Sequence, residues 1–187
     1  MRLYALLLDC GIALSLTLIV GVYQVWPRAE NSAWQPLASV APSGLMMQIA
    51  RDNLTSGFDE QVGQMKMMRP WQPGQVKALY LIDSRTADLS TQENPLCGAL
   101  GCAFFGYVPT DNGEQNGSFQ SVLSLYLDPS LPPEIPLIEV TNTLFNDMPE
   151  LVIHQLEDDQ LIQMRLVLSN EQYEVVETQY LSSEQDG

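Results

Sequence analysis

His154 is the only histidine in the chain, and a lone imidazole is the first residue to consider as a general base or as the base of a nucleophile pair. It sits in Glu150-Leu151-Val152-Ile153-His154-Gln155-Leu156. Alternation with Val152 and Leu156 places it on a partly apolar strand face, where a histidine more often holds structure than protons in transit. Carboxylates are the second candidates, most densely at Glu157-Asp158-Asp159. Glycoside hydrolysis needs two carboxyls facing each other across a cleft, whereas neighbouring acids at a tight turn are ordinarily solvated. His154 or a carboxylate pair therefore supports a hydrolase-like enzyme only as an alternative. The chain has no Gly-x-Ser-x-Gly elbow, no phosphate-binding glycine loop and no His-Glu-x-x-His. No catalytic residue is assigned, and no small-molecule substrate suggests itself.

Binding chemistry has a sharper candidate. Asp111, Asn112, Glu114 and Asn116 offer oxygen ligands around Gly113, which would suit calcium, although the spacing departs from the helix-loop-helix calcium signature. The same residues also make an ordinary polar hairpin turn. A calcium-responsive binding domain is thus a second alternative, and no other cofactor is implied. Cys97 and Cys102 stand five apart with Gly98 and Gly101 just inside, which lets the backbone turn tightly enough to join the sulfurs. A disulfide is the natural reading, a local staple of about 2 kcal/mol by loop entropy. A redox-active pair, free thiols and a metal are the alternatives. The spacing is not Cys-x-x-Cys, and zinc would have to complete four ligands from His154 and Cys10.

The elements that must position these residues begin with an apolar run from Leu3 to Trp26. From Cys10 to Trp26 it is about 17 residues, at the lower edge of what crosses the hydrocarbon of a bilayer. No small-x-small cleavage site follows it in Trp26-Pro27-Arg28-Ala29-Glu30-Asn31. Residues 1–26 are therefore read as a transmembrane signal-anchor, with Asp9 reaching the interface. Arg2 and the amino terminus, against a balanced Arg28/Glu30 flank, put the amino terminus in the cytoplasm. The remainder is then periplasmic, lumenal or extracellular, in keeping with a disulfide. Residues 27–42, rich in Pro, Ser and Ala, read as a stalk or linker, and residues 43–187 as one extracytoplasmic domain.

Within that domain the expected class is α+β. Ser43 can cap an amphipathic helix carrying Leu45, Met46, Ile49, Ala50, Leu54 and Phe58, with Gly57 as its stop. Met65, Met67 and Met68 beside Trp71 suit an irregular core better than a binding groove. Val76 to Ile82 is nearly continuously apolar and reads as a strand covered on both faces. Cys102 to Val108 and Phe119 to Leu127 form a hairpin. After a proline-rich connection comes Leu137 to Val140, then Leu151–Leu156, Leu161–Leu168 and Tyr173–Tyr180 as an antiparallel meander. The expected architecture is one amphipathic helix on a mainly antiparallel sheet of about six or seven strands.

Charge is the other strong signal. The chain carries a formal charge of −15. Residues 27–85 are nearly balanced, but from Thr86 onward seventeen acids stand against Arg165 alone. Such a surface repels nucleic acid and anionic head groups and suits a basic partner, divalent cations or a salty milieu. It also serves simply as a solubilising surface.

Cys97-Gly98-Ala99-Leu100-Gly101-Cys102 with its following aromatic strand, and Asp147-Met148-Pro149-Glu150-Leu151-Val152 opening another, resemble segments of uncharacterised secreted or membrane-anchored bacterial proteins, cyanobacterial ones among them. The resemblance spans about a quarter of the chain and carries over no ligand residues. It implies an envelope or thylakoid membrane, with the domain in periplasm or lumen. The second phrase also resembles the end of β-propeller repeats, but the chain has neither the repetition nor the preceding aspartate-rich loop. The reading that absorbs most of these signals is a non-enzymatic, membrane-tethered interaction or assembly module, held by residues 3–26 and directed at a protein partner with a basic surface.

Overall fold

A computed structural model describes residues 33–42, 44–54, 59–85, 94–110, 117–128, 130–132, 134–158 and 160–181. In chain order the elements are β1 (Gln35–Pro36), α1 (Leu37–Val40), α2 (Leu45–Asn53), α3 (Asp59–Gln64), β2 (Lys66–Met68), β3 (Tyr80–Asp83) and β4 (Cys97–Gly98). They continue with β5 (Gly101–Pro109), β6 (Phe119–Leu127), β7 (Ile138–Phe145), β8 (Met148–Glu157), β9 (Gln160–Ser169) and β10 (Gln172–Leu181). The apolar run 3–26, Ser43, Gly57, Phe58 and the loop 111–116 lie outside the described residues. No helix among the described residues is long and apolar enough to cross a membrane.

The strand β3 dictates the layering. Its consecutive apolar residues need cover on both faces, and two different layers supply it. Leu79 and Leu81 join Phe104, Val108 and Leu123 in a core completed by Leu151, Ile153 and Leu166. Ala78, Tyr80 and Ile82 join Phe105 and Tyr107 in a second core, closed by Leu37, Leu45, Ile49 and Val62 from the helices. The molecule is therefore a helical layer, a central sheet and an outer sheet, stacked in that order. The central sheet runs β1-β2-β3-β5-β6, with β4 beside β3 on the same edge of β5. The outer sheet is the antiparallel meander β10-β9-β8-β7.

The class is mainly antiparallel sheet with a few helices, as the sequence suggested, but the details differ. Among the described residues ten strands form two sheets where a single sheet of six or seven is expected, and three helices stand in place of one. Period-two alternation reports that a strand has a buried face and not whether a helix or another sheet covers it. Residues 33–42, read from composition as the end of a linker, belong to the fold. Gln35 and Pro36 pair with Met67 and Lys66, and Leu37 is fully buried. Met65, Met67 and Met68 are core residues, while Trp71 is exposed.

Cys97 and Cys102 are joined by a disulfide. Cys97 pairs with Cys102 and Gly98 with Gly101 in register, so the bond staples a two-residue turn at the start of β5. Gly101 has φ +99°, and a Cβ there would collide with the backbone of Leu127 on β6. Only glycine permits both the turn and the close approach of β6.

Candidate functional site

His154 lies on β8 and is buried. Its Nδ1 is 2.9 Å from the Pro136 carbonyl, and its backbone N–H donates to Leu137 at 3.0 Å. These two bonds fasten the end of the proline-rich connection to the outer sheet. Among the described residues neither a carboxylate nor a nucleophile bonds the ring, and the geometry is that of a strut. Glu157 ends β8 and accepts a hydrogen bond from the Tyr180 hydroxyl at 3.1 Å. Asp158 occupies the following turn with φ +48°, and Asp159 lies outside the described residues. Glu157 and Asp158 sit together at an exposed sheet end and do not face each other across a cleft. The Asp111–Asn116 candidate set also lies outside the described residues, and no group of three or more metal-ligating His, Cys, Asp or Glu side chains occurs among those described.

One concavity of about 330 Å³ opens between the central sheet and the proline-rich connection. Phe104 forms its floor, with Trp34 edge-on at 6.4 Å and the Arg85 guanidinium 5.2 Å above the ring. Pro132, Ile135 and Pro136 form the opposite wall. Arg85 is held by Asp83, which is almost wholly buried, through Nε at 2.9 Å and Nη2 at 2.6 Å. This fork neutralises the charge within the pair, leaving an aromatic and apolar notch without a nucleophile and base in bonding contact. The sequence does not reveal it because its walls come from four distant segments, and the strand signals at Phe104 and at Leu137 and Ile138 say nothing of their meeting with Trp34 and Arg85.

The more extensive feature is the face of the outer sheet turned away from the central sheet, where Glu139, Glu174 and Glu177 are exposed while Glu150, Val152 and Val167 are buried. Cross-strand register aligns Glu139 of β7, Val152 of β8, Arg165 of β9 and Glu177 of β10 in one row, and side chains in such a row share a face. Arg165 reaches Glu177 at 3.0 Å and Glu150 at 3.4 Å. Glu174 and Glu139 stand on the same face and are exposed. Arg165 is the only lysine or arginine after residue 85, so the acids outnumber their internal counterion. The Gln179 amide, and then the Arg165 guanidinium, hold the Glu177 carboxyl below the usual carboxylate range. It stays ionised across the physiological range. Turn acids Glu157, Asp158 and Glu171 extend the negative surface to both ends of the sheet. The charge asymmetry was legible in the sequence; its concentration on one side of a four-stranded sheet required the register.

No family model, no curated protein and no solved structure matches this chain.

Proposed function

We propose that this chain is a non-enzymatic, membrane-tethered extracytoplasmic interaction module that presents the acidic outer sheet to a basic protein partner. The row Glu139–Val152–Arg165–Glu177, with Glu150 and Glu174 beside it, is the observation that carries this reading. A surface of one sign steers an oppositely charged partner and rejects like-charged ones. In this reading residues 3–26 hold the chain in the bilayer with the amino terminus in the cytoplasm, and the domain works in periplasm, lumen or the extracellular space. The Cys97–Cys102 disulfide supports an oxidising compartment. The reading needs no cofactor.

A carbodiimide, which couples carboxylates directly to amines, tests the surface in native membranes. The expected products join Glu139, Glu174 or Glu177 peptides to lysines of one other protein. Products confined to this chain, or scattered over many proteins in proportion to abundance, would reject the proposal.

A further inference from the structure

The outer sheet has an open edge. β10 is ten residues long and pairs only with β9 among the described residues. β6 of the central sheet touches only its beginning, where Gln172 Nε2 donates to the Ser121 carbonyl at 2.9 Å and Gln120 Nε2 to Glu171 at 3.0 Å. Beyond that point no described residue pairs with the strand's other edge, which leaves alternate backbone N–H and C=O groups there without a ladder partner among the described residues. Native edges are ordinarily blunted by charged side chains, lysine above all, by proline, by a bulge or by short length, and on β10 the charges are Glu174 and Glu177, which reject an acidic strand and leave the edge open to a basic one. β10 carries no lysine and no proline. It exposes Val175 (50 %), Val176 (48 %) and Tyr180 (62 %). A register shift between Val175 and Glu177 bulges the strand locally.

Side-chain chemistry along the edge is two-sided. Register puts Val175 opposite Leu166 and Tyr180 opposite Ile162, on the face turned toward the central sheet. Glu177 lies opposite Arg165 and Glu174 opposite Val167, on the acidic solvent face. An added strand would thus meet apolar residues on one face and carboxylates on the other. We infer that β10 receives an extended segment of a partner protein by strand addition, a segment alternating basic and apolar residues. This rests on the interaction-module reading and specifies its contact. Charge selects the occupant: a second copy of β10 would bring Glu174 and Glu177 against their equivalents, and the chain as a whole carries −15, so like-charge opposition disfavours self-pairing.

The test uses the full-length chain in mild detergent and a short synthetic peptide alternating lysine and valine. Amide hydrogen exchange is followed across the protein. The expected result is slowing of at least about tenfold, confined to Gln172–Leu181. A peptide of the same composition with its lysines clustered, and one alternating glutamate and valine, produce no such slowing. Glu174→Lys with Val176→Lys abolishes the protection without lowering the melting temperature, whereas Glu134→Lys, at an exposed acid of the proline-rich connection outside the acidic row, preserves it. Equal protection by the clustered peptide, protection elsewhere, no protection, or concentration-dependent protection without peptide would each overturn strand addition. Failure of the broader reading is separable. If a salt-sensitive partner still co-purifies with the doubly substituted chain, the module stands and the β10 contact is wrong.

Discussion

At the scale of single residues, the Asp83–Arg85 pair is the most consequential polar contact in the molecule. Asp83 has 1 % of its side chain exposed, against 32 % for Arg85, so removing the guanidinium strands a buried carboxylate. Arg85→Ala is expected to destabilise the fold by about 3 kcal/mol in urea unfolding. Arg85→Lys recovers only part of this, because an ammonium cannot supply the fork or stack on Phe104. Tyr107 and Tyr173 make a pH-dependent statement. Burial raises both phenols well above their ordinary range. Tyr107 donates to Asp52 at 3.2 Å and accepts from Asn53 at 2.9 Å, while Tyr173 donates to the Pro149 carbonyl at 2.8 Å. Above the ordinary tyrosine pKa of about 10 the unfolded chain releases protons that the folded chain retains, so stability falls as pH rises. Their contribution is full below pH ~10 and disappears toward the raised folded values. Ultraviolet titration should show these two tyrosines ionising only together with unfolding; smooth ionisation of all seven in the folded state would contradict it. The Tyr107 contacts are not legible in the sequence, since Asp52 and Asn53 lie far from it along the chain; Asp83 and Arg85 stand two apart, and there it is the burial of the carboxylate that only the fold reveals. His154 was different, because alternation with Val152 already marked it as a strand residue facing apolar neighbours.

At the scale of elements, β3 and β5 to β10 are legible in the sequence and the turns partly so, but the short β1, β2 and β4 are not, and the strand expected over Val76 to Ile82 begins only at Tyr80, with Val76 exposed. The Phe119–Leu127 strand was read with its observed ends, because its apolar run is bounded by Asn-Gly and by Asp128-Pro129. The sequence predicts β7 only as far as Val140, whereas the strand runs to Phe145. Thr141 to Phe145 hides its alternation behind a register shift between Val140 and Leu144. The hairpin that follows was missed, although Asn146 and Asp147 at φ +49° and +61° are suitable two-residue turn residues. The β9–β10 turn uses Asn170 and Glu171 at φ +46° and +69°, and glutamate is poorly suited to that conformation. Glu171→Gly is therefore expected to stabilise the protein by about 1 kcal/mol, despite losing the exposed bond from Gln120. A loss of stability in denaturant titration would show that this bond or the strand start dominates. The helix α3 had no sequence signature beyond Val62, which is buried, and its six residues depend on packing more than on propensity.

At the scale of the whole molecule, two cores share the central sheet, so helices, central strands and outer strands are expected to unfold together. The sequence conveyed the double burial of β3 but not the identity of its covers, because helix and sheet present equally apolar faces. It conveyed the acidic second half but not that register gathers acids on one exposed face. That face carries a cost as well as a use. Unbalanced carboxylates repel one another, and added salt screens them. Raising sodium chloride to about 0.5 M should raise the melting temperature by about 2–4 °C; an unchanged or lower value would mean that acids and Arg165 are already balanced energetically.

The same screening separates stability from binding, since salt that strengthens the fold should weaken a charge-steered complex. The most direct measurement is to isolate the full-length chain from its native membrane in mild detergent, at low and at high salt, and quantify what co-purifies by mass spectrometry. The account expects one basic protein at near-stoichiometric ratio in low salt, released as salt rises. A clean monomer at both salt concentrations would contradict it.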